Sequence, residues 1–172
     1  MADSQADPGR RAFLSRTAGM LGTFLAAALG VTLVGAVVAP ATRRETAQWV
    51  KLGAVSDFKP GEPRMVTFGA NKVDGYLRTT APRAVWIIRT PADHFTVYNA
   101  RCTHLGCLVS LRSSSRSFAC PCHGGVFAVD DGAVLDGPPP RSLDSLNQRV
   151  EDGNLLVQYQ DFLVGTPERV PL

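Results

Sequence analysis

The sequence predicts an all-β protein, with an antiparallel head domain behind a single N-terminal transmembrane helix. Two observations support this fold class. Residues 17–42 carry no charged side chain, whereas the chain after residue 48 consists of short apolar runs between turn residues and has no helical periodicity. We expect four segments: a cytoplasmic N-terminus over 1–16, an anchor helix over 17–39, a flexible tether over 40–48 and a head domain over 49–172.

Length and charge narrow the class of protein. A chain of 172 residues has room for one compact domain and an appendage. From Lys51 onward there are 13 Lys and Arg against 12 Asp and Glu, so the head is nearly neutral. A nucleic-acid-binding domain would need a concentrated basic face, and this composition argues against one.

The apolar stretch fits a membrane anchor. As a helix, residues 17–39 would be about 35 Å long, which exceeds the roughly 30 Å of a hydrocarbon core. The apolar region of a secretory signal is usually only about 7 to 15 residues long. We therefore favour a retained anchor over a cleaved signal peptide, although residues 39–41 (APA) have the form that a signal peptidase reads. Pro40 is expected to end the helix, and the polar residues after it to form the tether.

The basic residues before the anchor predict its orientation. Residues 9–15 (GRRAFLS) resemble the twin-arginine export signal, from which Gly9 and Ser15 depart. That export route carries folded proteins and would place the N-terminus in the cytoplasm and the head on the periplasmic side. An arginine pair that only anchors the helix at the inner face would give the same orientation.

Nine short strands are predicted in the head. They cover residues 49–55, 64–68, 84–89, 95–99, 108–111, 117–119, 132–135, 147–150 and 155–158. Asp152-Gly153 predicts a tight hairpin turn, and Asp131-Gly132 predicts a weaker one. We expect Trp86, Ile87 and Ile88 to be core residues.

Two short boxes contain the residues most suited to bind a metal. They are residues 102–107 (CTHLGC) and 120–125 (CPCHGG), and together they hold all four cysteines and two of the three histidines. Each box has a Cys and a His two or three positions apart, so one tight loop could place both on a single ion or cluster. A zinc site remains an alternative at this point, with ligands Cys102, Cys107, Cys120 and His123. The third histidine, His94, is expected to be an ordinary surface residue.

The two boxes resemble the signature of Rieske iron-sulfur proteins, in particular the tethered subunit of cytochrome bc and related quinol-oxidising complexes. The resemblance implies a 2Fe-2S cluster with Cys102 and Cys120 on one iron and His104 and His123 on the other. It also implies a disulfide between Cys107 and Cys122, which suits an exported head. A proline loop that covers the cluster would be formed by Gly137, Pro138, Pro139 and Pro140.

Two positions depart from the high-potential members of that family. Those members have a Ser and a Tyr whose hydroxyls donate hydrogen bonds to cluster sulfurs, and here Gly125 and Phe127 occupy these positions. A hydrogen bond to a charged acceptor contributes about 1.5 kcal/mol, and about 1.4 kcal/mol corresponds to 59 mV for one electron. The loss of both bonds should lower the potential by on the order of 100 mV, so we predict menaquinol as the electron donor.

The resemblance implies an electron-transfer subunit of a membrane quinol:cytochrome c reductase. Its partners would be a cytochrome b subunit, a c-type cytochrome and quinol, within a dimeric multi-subunit complex. His123, and with it His104, would take part in quinol oxidation. Leu105 would either contribute to docking or pack within its loop. Other interpretations are a Rieske subunit of an arsenite oxidase, a ferredoxin that feeds an oxygenase and a zinc-stabilised extracytoplasmic binding module.

Overall fold

The N-terminal part of the chain is one long helix. This computed structural model describes residues 8–42, 48–74, 77–92 and 94–172, and α1 spans Pro8–Thr42. Its segment Gly9–Ala39 has a mean hydropathy of 2.2 and is long and apolar enough to cross a membrane. The hydroxyls of Thr23 and Thr32 donate to carbonyl oxygens one turn earlier, at 3.0 and 3.1 Å, so these polar groups need no water.

The helix is longer than predicted at both ends. The prediction that Pro40 ends it is wrong, because α1 continues to Thr42. A proline removes one backbone hydrogen bond and crowds the carbonyl four residues earlier. Because Pro40 lies so close to the end of the helix, this destabilisation affects only the last turn. The tether predicted over 40–48 therefore overlaps the last helical turn and the first strand residue, and its residues 43–47 lie outside the described residues.

In the described residues, the head is built from ten strands and one 3-10 turn at Val55–Asp57. The strands are β1 (Gln48–Ala54), β2 (Arg64–Asp74), β3 (Leu77–Arg89), β4 (Phe95–Asn99), β5 (Ser110–Arg112), β6 (Ser117–Ala119), β7 (Val126–Ala128), β8 (Val134–Asp136), β9 (Asn147–Glu151) and β10 (Asn154–Tyr159). They form three sheets with the orders β1-β10-β9, β2-β3-β4 and β5-β6-β7-β8. The all-β prediction for the head is confirmed.

The largest differences from the predicted strands are the greater lengths of β2 and β3, and smaller differences lie next to the two boxes. Strand β7 was not predicted, since three residues directly after a Gly pair are too short to display an alternating pattern. It pairs Phe127 with Phe118 of β6. The strand predicted from Gly132 starts only at Val134, because Gly132 has a φ of 71° and belongs to a turn. The Asp152-Gly153 turn is confirmed: both residues have positive φ, 49° and 72°, as a type I′ hairpin requires.

Strand β3 separates two hydrophobic cores. Its residues Val85 and Ile87 contribute to the first core, which is completed by β1, β4 and β10. Trp86 and Ile88 point to the other face and join the second core, which contains Cys102, Cys120, Phe118 and Phe127. The prediction that Trp86, Ile87 and Ile88 are core residues is confirmed, since all three are buried. The first cysteine of each box, Cys102 and Cys120, is therefore anchored in the second core.

Candidate metal centre

The first box forms a closed loop between buried residues. We call residues 102–107 loop 1. The Cys102 N–H donates to the carbonyl of Cys107 at 2.7 Å, and the Gly106 N–H donates to the carbonyl of Cys102 at 2.9 Å. Gly106 has a φ of 79°, which glycine adopts without strain. The sequence therefore turns back on itself within six residues and presents the side chains of His104 and Leu105 at its tip.

The second box repeats this backbone. We call residues 120–125 loop 2. The Cys120 N–H donates to the carbonyl of Gly125 at 2.8 Å, and the Gly124 N–H donates to the carbonyl of Cys120 at 3.2 Å. Gly124 has a φ of 74°, the counterpart of Gly106. The repeat was missed in the sequence because the loops share only their first Cys and fifth Gly.

Four possible ligands meet between the two loops. Cys102 and Cys120 are both free thiols and are 1% and 3% exposed. His104 is half-buried and His123 is exposed, and their rings lie edge to face with centroids 4.9 Å apart. The structure thus brings the two imidazoles together and, through the contact between the Cys102 and Cys120 thiols, the two free sulfurs. His94 lies apart from them as an exposed residue before β4.

The other two cysteines join the loops to each other. Cys107 and Cys122 form a disulfide, with an S–S distance of 2.06 Å. Their sulfurs lie with that of Cys120 within 4.8 Å of one another, but a disulfide sulfur cannot act as a thiolate ligand. The zinc set that includes Cys107 therefore loses one of its four ligands.

The environment of Cys102 favours the neutral thiol over a free thiolate. Burial, together with the neighbouring Cys120, raises the pKa of the Cys102 thiol to about 11, although backbone hydrogen bonds from His104 and Leu105 act to lower it. Without a metal the thiol is protonated at neutral pH, so binding must release a proton. The two backbone N–H groups already point at the sulfur that would become negative.

Loop 2 lies against the proline loop, residues 137–140. A Cβ on Gly137 would sit 2.8 Å from the Cα of Gly125 and 2.9 Å from the carbonyl oxygen of Gly124. Pro139 is buried against Gly125, whereas Pro138 and Pro140 are exposed. The two backbones thus touch, which only glycine permits at position 137.

Loop 1 is held by hydrogen bonds to distant parts of the chain. Thr103 is completely buried, and its hydroxyl donates to the carbonyl of Arg141 at 2.6 Å. Its own carbonyl accepts a hydrogen bond from the Gly165 N–H at 2.8 Å. Arg141 in turn pairs with Asp144 at 2.8 Å. These residues were not predicted from the sequence, although Arg141 directly follows the proline run and Thr103 lies inside the first box.

A second polar cluster lies beside loop 1. Asp161 pairs with Arg83 at 2.9 Å and with Arg101 at 3.0 Å, and it accepts a hydrogen bond from the Tyr159 hydroxyl at 2.8 Å. Burial acts to raise the pKa of Asp161, but the Tyr159 hydrogen bond and the two arginines outweigh it and lower the pKa. Arg101 lies against Gly106, where a Cβ would meet its guanidinium at 2.7 Å. The ion pairs therefore fix the side of loop 1.

The remaining predicted residues lie around the four donors. Phe127 is 0% exposed, and Gly125 is buried. Neither side chain carries a hydrogen-bond donor. Leu105 is 59% exposed and Leu108 is 51% exposed, so neither packs within the head. Leu105, which directly follows His104 in the chain, is therefore an apolar side chain open to solvent.

The donor set fits a 2Fe-2S cluster with mixed ligands. Such a cluster is held by four protein atoms, and in Rieske centres two imidazoles replace two thiolates on one iron. Cys102, Cys120, His104 and His123 supply this number and these types of atoms, one pair from each loop. The buried sulfurs and the outer imidazoles have the asymmetry that such ligation requires.

Comparisons with known proteins agree with this fit. Residues 48–147 match the family model of the Rieske [2Fe-2S] domain. The chain is 30% identical over 148 residues to the cytochrome b6-f complex iron-sulfur subunit of Chlorobaculum tepidum, which covers 86% of this chain and 74% of that protein. It is 31% identical over 152 residues to the menaquinol:cytochrome c reductase iron-sulfur subunit of Bacillus subtilis, with coverage of 87% and 90%.

The solved structures that match the chain include the cyanobacterial plasma membrane Rieske protein from Synechocystis PCC 6803. It is 29% identical with a TM-score of 0.47, and the match covers 64% of this chain and 99% of that one. The family match includes both loops and the proline loop, and it confirms the predicted 2Fe-2S cofactor. The chain belongs to the Rieske [2Fe-2S] family.

Proposed function

We propose that this protein is the electron-transfer subunit of a membrane quinol:cytochrome c reductase. It would take one electron, coupled to a proton, from quinol bound in a cytochrome b subunit and pass the electron to a c-type cytochrome. The observation that carries the proposal is the two-loop donor set, in which buried Cys102 and Cys120 stand behind His104 and His123. The relatives from Chlorobaculum tepidum and Bacillus subtilis support it by their names.

Each donor has a separate role in the proposal. Cys102 and Cys120 hold one iron, and His104 and His123 hold the other. The bound cluster supplies a one-electron acceptor whose potential is raised because neutral imidazoles replace thiolates. The disulfide between Cys107 and Cys122 keeps the loops together while the four ligands remain free for iron.

His123 is proposed as the residue that meets quinol. It is the more exposed of the two histidines. The imidazole nitrogen that iron leaves free would accept a hydrogen bond from the quinol hydroxyl and then its proton. Uptake of the electron and of the proton would thereby be coupled at this side chain. Exposed Leu105 and Leu108 would form the apolar rim that docks on the cytochrome b subunit.

Menaquinol is the proposed donor. Glycine at position 125 and buried Phe127 leave the cluster sulfurs without two side-chain hydrogen bonds. A lower potential suits a lower-potential quinol, and a relative that is 31% identical is named as a menaquinol:cytochrome c reductase subunit. A redox titration of the membrane-bound protein tests this proposal, since a midpoint as high as that of ubiquinol-type Rieske centres would contradict it.

The anchor helix completes the proposal. The segment Gly9–Ala39 would hold the head to the cytoplasmic membrane by a single pass. Arg10 and Arg11 would direct export by the twin-arginine route, with the N-terminus in the cytoplasm and the head on the periplasmic side. The residues between helix and β1 would serve as a tether that lets the head move between its two partners in a dimeric complex.

The ligand assignment is tested by a pair of histidine variants. We expect His123→Ala to abolish the Rieske EPR signal of the full-length protein, because one iron loses a ligand. His94→Ala is the matched control, since it removes an exposed imidazole outside the two loops, and its spectrum should equal that of the wild type. A Rieske spectrum that survives His123→Ala would remove this residue from the ligand set. A sample that contains zinc alone would overturn the proposal.

A further inference from the structure

We propose that Pro139 is a positioning residue that decides which side chain position 125 can carry, and that it thereby helps to set the cluster's potential. This inference rests on the proposed function, because position 125 is where high-potential relatives are expected to have a serine. The inference attributes the absence of a side-chain hydroxyl at position 125 to Pro139, a residue of another loop. The juxtaposition of the Gly125 backbone and the Pro139 ring carries the inference.

The two adjacent glycines of loop 2 are glycines for opposite reasons. Gly124 has a φ of 74°, and a Cβ there would meet nothing within 4 Å. The backbone conformation of Gly124 therefore requires glycine, although there is room for a side chain at this position. Gly125 is not among the residues with positive φ, so its backbone could accept any residue. A Cβ there, however, would lie 2.7 Å from Cγ of Pro139 and 3.1 Å from its Cδ.

Pro139 alone makes this position too small. The third-nearest atom to that Cβ, outside the two neighbouring residues, is Cβ of Cys120 at 3.6 Å, so the remaining contacts are ordinary van der Waals contacts. Real Cβ atoms do not approach carbon at 2.7 Å, so one partner would have to move. A proline ring cannot rotate away as a flexible side chain would, since it is fused to its own backbone.

Neither loop can easily yield. Loop 2 is closed by the bond from the Cys120 N–H to the carbonyl of Gly125 and is tied by the disulfide at Cys122. The proline loop rests on loop 2 through Gly137, whose Cβ position lies 2.8 Å from the Cα of Gly125. Just after the proline loop, Arg141 is held by the hydroxyl of Thr103. A side chain at position 125 would therefore strain both loops.

The consequence is that positions 125 and 139 must change together. A serine at position 125 can reach the cluster only if residue 139 is smaller than proline. The proline loop thus keeps position 125 without a hydroxyl, and with it the lower reduction potential that is predicted for the cluster. Pro139 acts through the space that it denies to residue 125.

The test is a double-mutant cycle in the full-length, cluster-loaded protein. The variants are Gly125→Ser, Pro139→Ala and the double variant, and the readouts are the melting temperature and the midpoint potential. We expect Gly125→Ser alone to lower the melting temperature and to leave the midpoint no higher than in the wild type. The double variant should recover most of that loss. Its midpoint should exceed that of Pro139→Ala by about 59 mV, the equivalent of a tenfold change in the one-electron equilibrium.

Two further variants keep the test decisive. Gly125→Ala adds only the clashing Cβ and serves if the serine variant does not fold. Gly124→Ala is the control, because its cost comes from positive φ and should not be relieved by Pro139→Ala. Additive melting temperatures for positions 125 and 139 would overturn the proposal, as would a double variant whose midpoint equals that of Pro139→Ala. The mutant cycle is judged on differences between variants, whereas the menaquinol proposal is judged on the midpoint potential of the wild type. Failure of this inference and failure of the proposed function are therefore distinguishable.

Discussion

Loop 1 and loop 2 have the same backbone hydrogen bonds but are supported by different forces. Loop 1 is held by polar contacts, from Thr103 to Arg141 and from Arg101 to Asp161. Loop 2 is held by close packing between glycine backbone and Pro139. Ion pairs respond to pH and salt, whereas steric contact does not. The difference teaches that one ligand geometry can be maintained on its two sides by independent means, and each can be broken separately.

The largest effect should come from cutting the link between the loops. Replacing both cysteines, Cys107→Ala with Cys122→Ala, removes a bond that spans 15 residues. Closing a loop of that length stabilises a protein by about 3 kcal/mol. We expect the free energy of unfolding to fall by about this amount, as measured by denaturant unfolding of the full-length protein in detergent. A loss far below this value would mean that the separate supports of the two loops suffice without the link.

The next effect separates the polar support of loop 1. Asp161→Asn leaves Arg83 and Arg101 without their carboxylate. Breaking a fully buried ion pair costs about 3 to 5 kcal/mol, and we expect about 2 kcal/mol because the Arg101 side chain is 36% exposed. The same unfolding measurement gives this difference.

Asp130→Asn is the matched control for that variant. It removes the carboxylate from an ion pair with Arg116 whose side chains are 54% and 77% exposed. Exposed pairs contribute less than about 1 kcal/mol. Equal losses in the two variants would contradict the assignment of a special role to the cluster beside loop 1.

The pH dependence of stability sharpens the comparison further. The pKa of Asp161 is lowered in the folded protein, so its carboxylate stabilises the fold fully above the unfolded pKa of about 3.9. This contribution is lost as the pH falls below about 4 and through the folded pKa. We expect the stability difference between wild type and Asp161→Asn to be constant from about pH 5 to 8 and to shrink below about pH 4. The difference between wild type and Gly125→Ala should not change over that acidic range, and a parallel change would contradict steric support of loop 2.

The smallest effect concerns a single hydrogen bond of loop 1. Thr103→Val keeps the shape of a buried side chain but removes the donor to the Arg141 carbonyl. We expect a loss of about 1 kcal/mol in unfolding free energy. Ser110→Ala, which removes an exposed hydroxyl with a long contact of 3.4 Å to Ala119, should change it by only a few tenths of a kcal/mol. If the two variants have equal effects, the Thr103 hydroxyl does not brace loop 1.

Local patterns carried much of this architecture. The Asp152-Gly153 turn was predicted from neighbouring residues because its conformation depends on them alone. The spacing of Cys and His in the two boxes indicated a metal site, and the resemblance to the Rieske signature implied the kind of cluster. The support of the loops could not be read in this way. Asp161 lies 60 positions from Arg101 and 78 from Arg83, and no local signal marks such pairs. Gly125 was recognised as a departure, but its cause is the Pro139 ring, which only the folded chain brings near.

The central strand of the head has one more consequence. Because Val85 and Ile87 point one way and Trp86 and Ile88 the other, a slip of one residue in register would exchange the contents of the two interiors. Strand β3 thus contributes side chains to both hydrophobic cores, and neither core can unfold while the other stays intact. Amide hydrogens at the centre of β3 should exchange with solvent only through cooperative opening of the whole head. The core that contains Cys102 and Cys120 therefore stays rigid while the metal-binding loops contact their partners.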